Sequence, residues 1–409
     1  MPNVNPDILR WARETAGLTL EEAADKLNLS EARGLSGDMR LAAYEVGDAE
    51  PSRPLLVRMS KQYRRPLLAF YLSSVPRTAE RGEDFRTLPP EHSRTQDALV
   101  DALIRDVRAR QEMVRALLED EDEAIRLPFV ASMSMRDGVE AVLQSIRETL
   151  DLDLEQYRGR KGRNGGPNGF AYLREQAERA GVYVLLIGNL GSHHTSLDVE
   201  MFRGFALADE VAPFIVINDQ DSEKAWAFTL LHELCHIWLG QTGVSGTSAA
   251  NAVEQFCNDV AGRFFLPRGE VQNLAFLRGR SFDDAVAAIN DFAETCNVSR
   301  SMVAYKLFRE NIIDREMWSG LSSLFRTQWR QARDDRRERN RDRDGGPNYY
   351  IVRRHRVGEA LLSLTRRMLS AQALVPSKAA KLLGVKPSNV YSMVNNDRSG
   401  SNPARMAQG

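Results

Sequence analysis

One five-residue stretch constrains this chain more than its length does: His232-Glu233-Leu234-Cys235-His236, which reads H-E-x-x-H. Residues four apart share a helix face, so both imidazoles can reach one cation while Glu233 faces the attacking water. The chain holds only six histidines, so a chance pair at this spacing around a glutamate is rare. The bland alternative is a helix end carrying two unrelated histidines, and the flanks weigh against it. Asp221 or Ser222 can cap a helix before Glu223, an acid suited to the first turn. Ala225, Phe228, Leu231, Cys235 and Trp238 then recur at helical spacing, and Gly240 can end the element. The pattern predicts a buried helix of about five turns. A polar pair on such a helix needs partners, and a metal supplies them.

Two histidines suit zinc, which needs a third protein ligand and an open position for catalysis. Glu254 is the candidate, at the start of a second helical pattern over residues 253–267. Asn258 lies one turn further on the same face and is placed to orient a ligand. Asp259 competes for the ligand role, its bland role being a solvated helix charge. Glu233 is the candidate general base, taking a proton from the attacking water and returning it to the leaving amine. A two-His, one-carboxylate set favours zinc over manganese. His193 and His194, on a Gly/Ser-rich stretch, read as exposed loop histidines before oxyanion stabilisers. Cys235 and Cys257 each neighbour a proposed ligand and read as small buried packing residues rather than thiolate ligands.

Strand-like runs at 182–187 and 213–218, with 202–207 between them, predict a small sheet beside this helix. Such a sheet can take an extended peptide by strand addition. At 409 residues the chain has room for two to four domains. A net charge of −1 argues against a uniformly basic nucleic-acid-coating protein but leaves room for a local basic face. Three cysteines, Cys235, Cys257 and Cys296, form no disulfide framework and point to a reducing compartment. The first residues lack a signal-peptide pattern, and no apolar run is long enough to span a bilayer. These features predict a cytoplasmic protein without a membrane anchor.

Together, Arg203-Gly204-Phe205, the 213–218 run, Phe228 to His236, Glu254-Gln255-Phe256-Cys257-Asn258, Ala261 and Leu266-Pro267 resemble the ImmA/IrrE family of metallopeptidases. The match spans about residues 140 to 270. The resemblance implies a small α/β zincin-like domain with His232, His236 and Glu254 on Zn²⁺ and Glu233 catalytic. It also implies a narrow substrate range, a single cut in a partner repressor or antitoxin. Some family members carry an N-terminal helix-turn-helix of the XRE type. Leu41 to Ser52, Arg65 to Leu72 and Asp84 to Pro89 are similar to that subgroup, which implies an operator DNA partner and a homodimer.

Read from its residues, the 6–72 region is four or five short helices. One carries Thr19 as cap with Leu20, Ala23, Ala24 and Leu27 inward. The following step is unusually long and contains Gly34 and Gly37. The recognition face, about Ser36 to Tyr44, offers Arg40, with Arg33 nearby, as DNA contacts. Two readings stand for this region: operator binding, or a helix-turn-helix fold kept as a protein-docking module. Residues 95–124 predict one long helix, a connector or a dimer helix. Residues 157–169 read as a loop. Helices near 282–294 and 299–310 read as packing on the peptidase, and the charged 330–344 stretch as a solvated helix or linker. Pro376 to Val390 again has helix-turn-helix geometry, with Lys378, Lys381 and Lys386 as phosphate contacts, against a helical partner-binding cap.

The expected fold is therefore mostly α with a small α/β zincin-like metallopeptidase domain, an N-terminal all-α helix-turn-helix domain and a C-terminal helical domain. The expected division is 1–75, a connector at 76–130, the peptidase at 131–270, a helical extension at 271–325, a charged linker at 326–347, and 348–409 as a possible second helix-turn-helix. Two functions follow. The first is a regulatory zinc endopeptidase with a DNA-binding domain, cutting or controlling a repressor or antitoxin encoded nearby. The second is a non-proteolytic repressor or antitoxin whose peptidase-like domain binds a protein or ligand.

Overall fold

Several helices in this chain start where a side-chain oxygen takes an orphan backbone N–H. The structure, a computed structural model, describes residues 4–32, 34–76, 94–162, 168–191, 195–245, 252–341 and 348–395. Asn5 caps α1 (Pro6–Glu14), and Thr19 caps α2 (Leu20–Lys26) in a reciprocal capping box with Glu22. Helices α3 (Gly37–Val46) and α4 (Arg53–Gln62) follow, then a 3-10 turn at Leu67–Tyr71. These elements close around their own core of Ile8, Leu9, Leu27, Leu41, Leu56 and Met59. Ala23, Ala24 and Leu27 are buried as expected, while Leu20 is only half-buried. Arg13 spans this core, its Nε and Nη2 meeting Glu45 Oε1 and Oε2 at 2.7 and 2.8 Å.

The next helix, α5 (Arg94–Asp120), is continuous over 27 residues. Then come α6 (Val139–Leu150), α7 (Leu154–Gly159) and α8 (Gly169–Arg179). Strands β1 (Tyr183–Leu186), β2 (Gly204–Leu207) and β3 (Phe214–Ile217) lead into α9 (Glu223–Trp238). Strand β4 (Gly243–Ser245) and α10 (Ala252–Phe265) complete the neighbourhood of the H-E-x-x-H stretch. A 3-10 segment at Glu270–Leu277 precedes α11 (Phe282–Thr295), α12 (Arg300–Arg309) and α13 (Arg315–Arg341). The remainder is α14 (Tyr349–Val357), α15 (Glu359–Ser370), α16 (Pro376–Leu383), a 3-10 turn at Pro387–Asn389 and α17 (Val390–Val394).

The sheet has the order β1-β3-β2-β4. β1 runs parallel to β3, and β2 is antiparallel to both β3 and β4. Its strands read as unbroken apolar runs because both faces are covered. Val184, Leu186, Ala206, Ile215 and Ile217 point into a core shared with α9 and α10. The alternate residues, Tyr183, Leu185, Phe205, Leu207, Phe214 and Val216, point into a second core shared with α5 and the C-terminal helices. The fold is mostly α with one small mixed sheet, as the sequence predicts. No described helix is long and apolar enough to cross a membrane.

Two arrangements differ from the expected division. Helix α13 runs through the boundary placed at residue 326. Residues 348–394 share a core with α5 and the outer sheet face instead of forming a core of their own. Helix α5, left open between connector and dimer helix, packs on the sheet: Gln111 Nε2 donates to the carbonyls of Leu207 and Ala212 at 2.9 and 2.8 Å.

Candidate metal centre

Helix α9 is started by Ser222, whose side chain accepts from the Ala225 N–H. It is ended by Gly240, at φ 67°, where a Cβ would lie 2.5 Å from that of Ala131. These two stops place His232 and His236 in the buried second half of the helix. Helix α10 packs against α9 and brings Glu254 in its first turn to the same point.

Nε2 of His232 lies 3.2 Å from Glu254 Oε2, and Nε2 of His236 lies 3.0 Å from Glu254 Oε1. The two Nε2 atoms are 3.1 Å apart. A tetrahedral cation with bonds of about 2.0–2.1 Å separates its ligand atoms by about 3.3 Å, so the three donors stand almost where such a shell needs them. All three residues are buried, and among the described residues they form the cluster able to hold a metal ion. Asn258 Oδ1 sits 3.0 Å from His232 Nδ1. An amide oxygen only accepts, so Nδ1 carries the proton and Nε2 turns its lone pair into the cluster.

The electrostatics suit the same purpose. Burial holds the His236 imidazole below its ordinary pKa against the pull of Glu254, and so keeps it a neutral donor. Burial alone would push the Glu254 carboxyl up. The two imidazoles beside it outweigh that and bring it down to about 2, so it stands as a carboxylate ready to face a cation. Burial, together with Cys235, pushes the Cys257 thiol well up, which fits a neutral packing residue. Asp259 stands apart from the cluster, with its charge felt by Lys306 and Arg309.

Glu233 is fully buried on the face of α9 that meets β2. Gly204 makes that approach possible. A Cβ there would lie 2.5 Å from Thr229 Cγ2 and 2.9 Å from Glu233 Oε1. The sequence signal for this role is a glycine inside an apolar strand, a mark of close approach. Gln241, just past the helix end, also hydrogen-bonds His236, and nothing in the sequence pattern singles it out.

The other predicted site residues are placed elsewhere. His193, His194 and Arg33 lie outside the described residues. Arg40 is half-buried and donates from Nη1 to the Ser30 carbonyl at 2.6 Å. Lys378, Lys381 and Lys386 are exposed on the C-terminal helices.

Residues 177–308, from the end of α8 through most of α12, match the family model described as the IrrE N-terminal-like domain of the peptidase M78 type. No curated protein and no solved structure matches the chain.

Proposed function

We propose that this IrrE N-terminal-like metallopeptidase segment makes the protein a zinc-dependent, site-specific endopeptidase that regulates a partner repressor or antitoxin. The observation that carries the reading is the convergence of two imidazoles and one carboxylate from α9 and α10, with Glu233 one position along from His232. His232, His236 and Glu254 would hold the ion. Zinc in that position supplies Lewis acidity toward the scissile carbonyl and the attacking water.

The remaining chemistry belongs to the side chains. Glu233 takes a proton from the attacking water and hands it to the leaving amine. Asn258 fixes the His232 tautomer. The buried surroundings exclude competing water and strengthen each charge interaction. An extended substrate needs a sheet edge. The β1 edge is covered, since Val184 O accepts from Arg174 Nη2 and a Cβ at Gly358 would lie 2.9 Å from that carbonyl. Among the described residues that leaves β4, at the other end of the sheet, as the edge a polypeptide would extend.

The N-terminal unit would guide the enzyme to its target, through an operator bound by α2 and α3 as a homodimer, with the product of a neighbouring gene as substrate. A second reading rests on the depth of the cluster: His232, His236 and Glu254 are 4%, 1% and 1% exposed. Metal held so deep also suits a non-proteolytic platform that binds a partner. Incubation of the pure protein with the neighbouring repressor or antitoxin separates the two. One discrete cut, lost in Glu233→Gln while metal is retained, supports the peptidase. A cut that persists in Glu233→Gln removes the proposed catalytic role.

A further inference from the structure

Charge is distributed unevenly along this nearly neutral chain. Residues 348–395 carry eight arginines and lysines against a single acid, Glu359, a net of +7 in a chain of −1. Several of these charges are committed to the fold. Arg353 donates to the carbonyls of Leu383 and Gly384, Arg354 to those of Ser392 and Met393, and Arg366 to that of Val394. Arg356 pairs with Asp219 at 2.6 Å. Lys378, Lys381 and Lys386 have no such duty: all three are exposed and none forms an ion pair among the described residues.

The three lysines sit on a defined scaffold. α15, α16 and α17 pack on one another through Leu361, Met368, Ala379, Leu383, Val390 and Met393. Between α16 and the next helical segment lie only Gly384, Val385 and Lys386. Gly384 takes φ 61°, a left-handed conformation that favours glycine. A short glycine-containing connection from α16 through the 3-10 turn into α17 is the kind of link that a helix-turn-helix uses. The second helical segment, from Pro387 to Val394, exposes Ser388, Tyr391 and Ser392 on the side away from the core. Its N-terminal side is flanked by Lys386, with Lys378 and Lys381 one turn apart on α16.

We infer that this C-terminal face binds duplex DNA, with the 387–394 segment in the major groove and Lys378, Lys381 and Lys386 on phosphates. For binding a duplex without sequence selection, the N-terminal unit, proposed above for an operator, is the weaker candidate. Residues 4–72 hold ten basic and ten acidic side chains, a net of zero. Ten residues, 27–36, separate α2 from α3, and the exposed positions of α3 include Met39 and Val46, 54% and 57% exposed. A groove-reading helix presents hydrogen-bonding side chains instead. The 376–394 unit carries net positive charge, has a shorter connection and exposes Ser388, Tyr391 and Ser392, and its charge complements a polyanion.

The test uses the full chain and a fluorescein-labelled mixed-sequence 25-base-pair DNA duplex, followed by anisotropy over a salt series. The wild type binds at low salt and weakens as salt rises. K378E/K381E/K386E changes only exposed positions; it keeps its unfolding midpoint and loses at least ten-fold in affinity at low salt. Its log K against log salt flattens by about 3 × 0.9. Tyr391→Ala, which changes no charge, weakens binding as well, and a peripheral charge effect would not produce that. No binding by the wild type at low salt, or undiminished binding by the triple variant, overturns the inference. Equal binding to an RNA duplex of the same sequence also overturns it, because the A-form major groove does not admit a helix.

Discussion

At the residue scale, the centre depends on a few contacts whose removal has separable effects. Asn258→Ala frees the His232 ring and should lower metal affinity by about 10–100-fold, measured by competition with a chelator. An unchanged affinity would show that the ring is held by packing alone. Gly204→Ala drives a methyl into Thr229 and Glu233 and should cost about 1–3 kcal/mol in urea unfolding, with a larger loss of peptidase activity because Glu233 must shift. Acid should strip the metal, since ligation needs neutral imidazole. Burial holds His236 below its ordinary pKa, which favours the neutral ligand further into acid. Metal content that does not fall across an acid series would show that no imidazole holds the ion. His232, Glu233 and His236 announce themselves in sequence by their spacing. Glu254 and Asn258 were legible as one face of the following helix. Gly204 left only the mark of a glycine inside an apolar strand, and Gln241 left none, because it acts through a contact across the fold and not through a local pattern.

At the element scale, the sequence shows what each segment buries but not what it buries against. The cap at Thr19, the start of α9 at Ser222 and its stop at Gly240 follow from local chemistry. The three longer strands follow from their apolar runs. β4 does not, since Gly243-Val244-Ser245 has no run long enough to signal a strand and becomes one only by pairing with β2. The same limit hid the clamp at the β1 edge. Arg174 donates to the carbonyls of His355 and Val184, and its partner Glu178 accepts from the backbone N–H groups that open α15. Both side chains are buried and the pair is 3.1 Å apart. Arg174→Met leaves the Glu178 carboxylate buried without its cation. It should cost about 3–5 kcal/mol in chemical denaturation, more than a surface pair would. A cost under 1 kcal/mol would mean that the C-terminal helices hold the sheet edge by apolar packing alone.

At the scale of the whole molecule, the peptidase-like segment and the C-terminal helices form one body around the sheet. Leu361, Leu364, Met368 and Val390 are buried in the core that also holds Leu185, Phe205 and Val216. A chain ending at residue 347 would uncover that face. It should bind a hydrophobic dye and aggregate where the full chain does not. A soluble, dye-silent truncation would restore the C-terminal unit as a separate domain. The segment boundaries were legible only where glycine and charge mark them. The helix that crosses residue 326 was read as a helix or a linker because its charged half carries no apolar stripe to place it. The proposed activity depends on the metal centre, and elemental analysis of purified wild type beside His232→Ala and Glu233→Gln tests it most directly. One zinc per chain in the wild type and in Glu233→Gln, with loss in His232→Ala, is the predicted result. A wild type without metal, or a His232→Ala protein that keeps it, would contradict the account.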